Sequence, residues 1–244
     1  MKKMISFLFL LLLAGSLVVA NVIPLNGLTT ISIAHKLPIL LLPADYVFLV
    51  RPVLLVVLFC WIVKMRPSSP VSPKRTLLFS AACAANAGWY PLWHFGFFGT
   101  AFAVNAATAL ALYVLYRTYP AKENAWYGRV PISLFLAWTL IDLVLNANYL
   151  LVFDDWSRLG ISTVLWTILN LTVLTAVALH FSYHHQDGVI TAVCLWVFAG
   201  IIVNVRTEEL FVTLSTLFLM GLMSWGYWFF SAPRVQPIPE ETPF

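Results

Sequence analysis

Two ionisable side chains stand in apolar surroundings where a charge needs a reason. Asp142 interrupts FLAWTLIDLVLN and Arg51 interrupts PADYVFLVRPVLLVV. A carboxylate held in lipid costs at least about 2.5 kcal/mol unless it faces a bundle interior or a partner. Arg51 lies near the start of its run, so its guanidinium could snorkel to the interface. Asp142 sits mid-run and has no such escape. An Arg51–Asp142 ion pair would accommodate both charges.

Polar and aromatic residues recur around these two at helical spacing. Asn86, Trp89, Trp93 and Phe97 follow i, i+3, i+7 and i+11, which places them on one stripe. Pro91 should kink that helix, and Gly88 would let a neighbour approach. Phe135, Trp138, Asp142, Asn146 and Tyr149 repeat the pattern, as do Thr163, Trp166 and Asn170, and then Trp196, Gly200 and Asn204. Two readings stand side by side. Tryptophans mark interfaces and asparagines join helices, which suits Trp126, Trp156 and Trp228 at span ends. Aromatic walls with a few fixed polar groups also line small-molecule pockets, which suits Trp138 inside its span.

The elements that must carry these side chains follow from composition. Of 244 residues, 61% are hydrophobic and 10% charged, against about 25% charged in a soluble domain. This is a polytopic membrane protein. A span needs about 20 mostly apolar residues, since lipid offers the backbone no hydrogen-bond partner. Eight candidates are predicted, over 4–24, 46–65, 76–95, 98–117, 130–152, 161–182, 188–204 and 209–230. The first resembles a secretory signal, but its apolar run is long enough to cross a bilayer and is read as a retained helix. Residues 25–45, broken by Gly27, Pro38 and Pro43, are predicted as a long loop with an interfacial turn.

Basic residues set the orientation. With eight spans, Lys2, Lys3, Lys64, Arg66, Lys74, Arg75, Arg117, Lys122, Arg129 and Arg234 fall on one side, while the other holds Asp154, Asp155, Glu208 and Glu209 with only His35, Lys36, Arg158 and Arg206 against them. Both termini are therefore expected on the cytoplasmic side of a bacterial-type plasma membrane. The Pro-rich tail 232–244 is expected to be disordered. Cys60, Cys83 and Cys194 lie in apolar runs and read as reduced packing residues. His184 and His185 read as a solvated pair. No nucleotide, zinc or catalytic-triad motif is present, so no metal, cofactor or nucleic-acid partner is expected. The expected partners are membrane lipid and a lipophilic small molecule.

Three segments together resemble the tryptophan-rich sensory protein family (TspO/MBR), relatives of the mitochondrial translocator protein. They are PADYVFLVRPVLLVV, the N-x-x-W-x-P-L pattern of Asn86, Trp89, Pro91 and Leu92, and FLAWTLIDLVLN, in which Trp138 and Asn146 keep the family's spacing. The likeness covers about 1–152, the size of the family's five-helix core. LWVFAGI, Leu195 to Ile201, is similar to a segment of longer bacterial relatives. Arg51 and Asp142 depart from the family pattern, which is uncharged at both positions.

The resemblance implies an all-α bundle, often a homodimer, whose pocket accepts porphyrins, sterols or other lipophilic ligands. The expected organisation is a five-helix core over 1–152, three further spans over 153–231 and the polar tail. The expected ligand-binding set is Asn86, Trp89, Trp93, Trp138, Asn146, Arg51 and Asp142, with a tetrapyrrole as one ligand class. The first functional reading is a ligand-binding or sensory membrane protein. The second is a transporter using Arg51, Asp142 and the interior asparagines as a polar path. An enzyme ranks third, since no acid–base or nucleophile pair is identifiable.

Overall fold

The computed structural model describes residues 2–23, 25–64, 73–120 and 126–231. The tail 232–244 and the basic residues Arg66, Lys122 and Arg234 lie outside the described residues. Within them the chain is helical throughout: α1 (Lys2–Asn21), the short α2 (Thr30–Ala34), α3 (Val50–Lys64), α4 (Pro73–His94), α5 (Phe98–Arg117), α6 (Val130–Phe153), α7 (Thr163–His185), α8 (Gly188–Val205) and α9 (Leu210–Ser231). A 3-10 turn over Asp45–Leu49 leads directly into α3.

Seven of these segments are long and apolar enough to cross a membrane. The eighth long helix, α4, has 22 residues and so reaches about 33 Å, enough for a hydrocarbon core of about 30 Å. It is less apolar because it carries Lys74, Arg75, Asn86 and His94. It packs between α1 and α5, so protein rather than lipid surrounds many of its polar groups. The result is a polytopic bundle of eight long helices.

Tertiary contacts show the alternating direction of the helices. At one end Lys3 Nζ donates to the Val63 carbonyl at 2.7 Å, Arg75 bonds Thr118, and Arg129 Nη2 donates to the His185 carbonyl at 2.7 Å. At the other, Asn26 bonds the His94 carbonyl, and Asn204 Nδ2 donates to the Leu42 carbonyl at 2.9 Å. The first end carries most of the basic residues, and the second carries Asp154, Asp155, Glu208 and Glu209 together with Lys36, Arg158 and Arg206. The first four long helices pack with α6 into one group, and α7, α8 and α9 pack on one another. Helix α8 joins the groups by packing on both α6 and the 45–49 turn.

The connection between α1 and α3 is a folded cap. Thr29 caps α2 through its side chain, and Ile33, Leu41, Leu42 and Val47 are buried. Its far end docks on α8. Ala44 N–H donates to the Gly200 carbonyl at 3.0 Å, and Trp196 Nε1 donates to the Val47 carbonyl at 3.3 Å. The stripe of Trp196, Gly200 and Asn204 is therefore a seat for the backbone of residues 42–47.

Gly200 is required there. A Cβ at this position would lie 2.1 Å from Val47 Cγ2 and 3.2 Å from Pro43 Cβ. Valine is stiff at χ1 and Val47 is fully buried, so the cap would have to lift. Gly200→Ala is expected to cost about 1–3 kcal/mol and to expose the cap to limited proteolysis. Unchanged cleavage at residues 36–47 would show that the cap does not rest on α8. Gly88, by contrast, faces open space, so the close helix approach expected from it is absent.

Candidate functional site

The site begins at the charged pair. Arg51 Nη2 donates to Asp142 Oδ1 at 3.1 Å, and both residues are buried. Asp142 lies 12 residues into the 24-residue α6, about 18 Å from its start by helical rise. The guanidinium sits 5.0 Å from the Phe48 ring, 5.5 Å from Trp138 and 5.7 Å from Trp89. Three rings at this range attract a cation that has lost its water. Without Asp142 they would not balance the full charge.

Asn146 ties the aromatic wall to this pair. Its Nδ2 donates to the Asp142 carbonyl at 2.6 Å, and its Oδ1 accepts from Trp89 Nε1 at 2.9 Å. Because the asparagine back-bonds within α6, its oxygen is fixed and pointed at α4. Trp89 then stacks on Trp93, with centroids 5.2 Å apart and planes 21° from parallel. Trp93 meets Tyr149 at 4.6 Å and Phe98 at 5.1 Å. Trp138 lies one turn before Asp142 on the same helix face, its buried Nε1–H on the side of the Asp142 carboxylate and without a close acceptor elsewhere among the described residues.

The cap closes the wall from above. Tyr149 Oη donates to the Ile33 carbonyl at 3.1 Å, and Trp93 Nε1 to the Thr30 carbonyl at 3.4 Å. His94 shares a hydrogen bond with Thr30 Oγ1 at 3.1 Å, and Asn26 holds the other side of its ring. These contacts pin α2 to the ends of α4 and α6.

Space is distributed unevenly around these residues. Two small cavities border the ion pair. One of about 20 Å³ lies towards Leu13, Leu17, Asn86 and Tyr90, and one of about 30 Å³ towards Thr30, Leu42, Phe48 and Asn146. Each has room for about one water. A third, of about 480 Å³, lies beneath the cap beside the α4–α5 turn, lined by Asn26, Lys36, Trp93, His94, Phe98, Tyr149 and neighbouring apolar residues. That is the size of a small-molecule site.

All seven residues singled out from the sequence converge here. Arg51, Asp142, Trp89, Trp138 and Asn146 form a packed network, Asn86 borders the smallest cavity, and Trp93 divides the network from the largest one. Phe97 does not join them. Helix α4 ends at His94, Gly96 turns the chain at φ +82°, and Phe97 is left 60% exposed while Phe98 turns inward. Pro91 falls in the last turn of α4, so the helix it disturbs ends less than a turn later.

Sequence spacing missed the cap's contribution, Asn26, Thr30 and Lys36, because a loop has no periodicity to read, and with it His94, the last residue of α4. It also missed Asn148, whose amide bonds Asn170 Oδ1 at 3.1 Å and accepts from Trp166 Nε1 at 2.8 Å. That ladder explains the Trp166 and Asn170 stripe as an α6–α7 contact.

A second buried ion pair lies at the basic end. Asp187 is fully buried, accepts from Ser133 Oγ, caps α8 by accepting from Val189 N–H at 2.9 Å, and lies 3.8 Å from Arg129 Nε. Arg129 had shown itself in the sequence only as a marker of orientation.

The long apolar helices, packed around buried polar and aromatic side chains, define a polytopic integral membrane protein. The family model described as TSPO-like protein matches residues 3–229, and the chain belongs to that family. The match runs through α9, well beyond the first five long helices. No curated protein and no solved structure matches the chain.

Proposed function

We propose that this protein binds a lipophilic small molecule in the cavity beneath the cap and acts as a membrane sensor of that ligand. The observation that carries the reading is the cavity of about 480 Å³ walled by Trp93, Phe98, Tyr149 and Phe153, with Asn26, Lys36 and His94 as its polar groups. Flat aromatic ligands suit such walls through offset and edge-on ring contacts, so a tetrapyrrole is one class that the site could receive. The gathering of basic residues at one end of the bundle supports a reading in which both termini face the cytoplasm across a plasma membrane, by the positive-inside rule.

Transport is the second reading. The three cavities lie in series, the two small ones sharing Arg51, Trp89 and Asp142, and Trp93 bordering the upper two. The ion pair and the stacked tryptophans interrupt that series, which favours binding over passage.

Titrating protoporphyrin IX into the protein in lipid nanodiscs tests both. Saturable binding that weakens about tenfold in Trp93→Ala, the loss of roughly one good aromatic contact, with no flux across proteoliposomes, is the expected result. Flux that disappears in Asp142→Asn would favour transport. Binding indifferent to Trp93 would remove the cavity from the account.

A further inference from the structure

We infer that Arg51 selects the ligand, by taking up a carboxylate of an amphiphilic guest in exchange for Asp142. The inference rests on the reading of the capped cavity as a ligand site.

Arg51 is under-used as a donor. A guanidinium carries five N–H groups, and among the described residues this one makes a single hydrogen bond, from Nη2 to Asp142. Both residues border each of the two small cavities, so space as well as protein lies around the pair. Phe48, Trp89 and Trp138 hold the guanidinium on its other sides. Its position therefore does not depend on which carboxylate it pairs with.

Among the described residues, the only carboxylate that lines the route is Asp142 itself, at its inner end. The large cavity is lined by one charged side chain, Lys36, and by no carboxylate. Trp93 borders both this cavity and the small one that reaches Arg51. A guest seated in the large cavity thus has one indole between its carboxyl arm and the guanidinium.

The exchange also leaves Asp142 satisfied. Two carboxylates cannot both stay ionised beside one buried guanidinium. A guest arriving from lipid as the neutral acid gives its proton to Asp142 and binds Arg51 as the carboxylate. Charge and protons balance, with no ion drawn from water. The displaced carboxyl keeps the neighbouring Trp138 indole N–H, one helical turn away, as a donor.

The test compares protoporphyrin IX with its dimethyl ester in nanodiscs. Wild-type protein is expected to prefer the acid about tenfold, the scale of one charge-assisted hydrogen bond. Asp142→Asn, which imitates the protonated state, should bind the acid about tenfold tighter still and leave the ester unchanged. The doubly neutral Arg51→Gln/Asp142→Asn variant removes both charges without orphaning either, and should bind acid and ester alike. If Lys36→Gln erases the preference and the double variant keeps it, the rim lysine reads the carboxylate and the inference falls. Equal binding of both probes to wild type and Asp142→Asn would also overturn it, while leaving the cavity intact as a site. If neither probe binds, the site reading itself fails.

Discussion

Asp142→Ala is expected to lower the unfolding free energy by about 3–5 kcal/mol, because it strands the Arg51 charge in the bundle interior. Arg51→Ala should cost a similar amount by stranding Asp142. The pair itself is a different matter. Desolvating two charges offsets most of their attraction, so replacing both with neutral isosteres is often close to neutral. Arg51→Gln/Asp142→Asn is thus expected to recover most of what either single alanine loses. Reversible unfolding by SDS in mixed micelles reads all three. A double variant no more stable than the single variants would mean that the charges are not coupled. The aromatic box sharpens the asymmetry, since Phe48, Trp89 and Trp138 are 5.0–5.7 Å from the guanidinium and still offer it some attraction when Asp142 is lost.

The second large effect is expected near the start of α6, at Ser133 and Asp187. Asp187→Ala removes the acceptor for Ser133, the cap of α8 and the counter-ion of Arg129 together. Arg129 is itself 2% exposed, and its guanidinium lies 5.0 Å from the Tyr116 ring. An uncompensated charge there should cost about 3–5 kcal/mol. Asp187→Asn keeps an acceptor for the cap and for Ser133, so it should lie between wild type and alanine. Unfolding would measure the total, and amide exchange would place the loss at the α7–α8 turn. The exposed Asp154→Ala is the control. An Asp187→Ala protein as stable as that control would show that the latch contributes nothing.

These two pairs show how far the sequence could be read. Asp142 was conspicuous because a charge in the middle of an apolar run has no cheap explanation. Asp187 sits in HHQDG, where a carboxylate in a polar turn needs no explanation at all. Arg129 at a helix start looks the same whether it meets headgroups or lies buried under Tyr116. The long helices were legible from hydropathy, with α4 the least apolar because its partners are protein. The stripes were legible as stripes but not by destination. Asn146 turns to Trp89, Asn148 to Trp166, and Asn204 to the backbone of Leu42. The large cavity had no sequence signature, because a void is set by what fails to fill it once helices of particular length meet a cap.

The docking of that cap on α8 also fixes an order of events. Trp196 and Asn204 hold carbonyls 149 and 162 residues earlier in the chain. At a synthesis rate of about 5–20 residues per second, some 10–30 s separate the emergence of the two surfaces. Until α8 is inserted, the 42–47 end of the cap has no seat, although α2 is already within reach of its contacts on α4 and α6. Helices α1 to α6 and the large cavity can assemble first, and the 42–47 turn is seated from the far end of the chain. A ribosome stalled before Gly188 would carry a protein whose charged pair and α2 contacts can already form and whose 42–47 turn is still unseated.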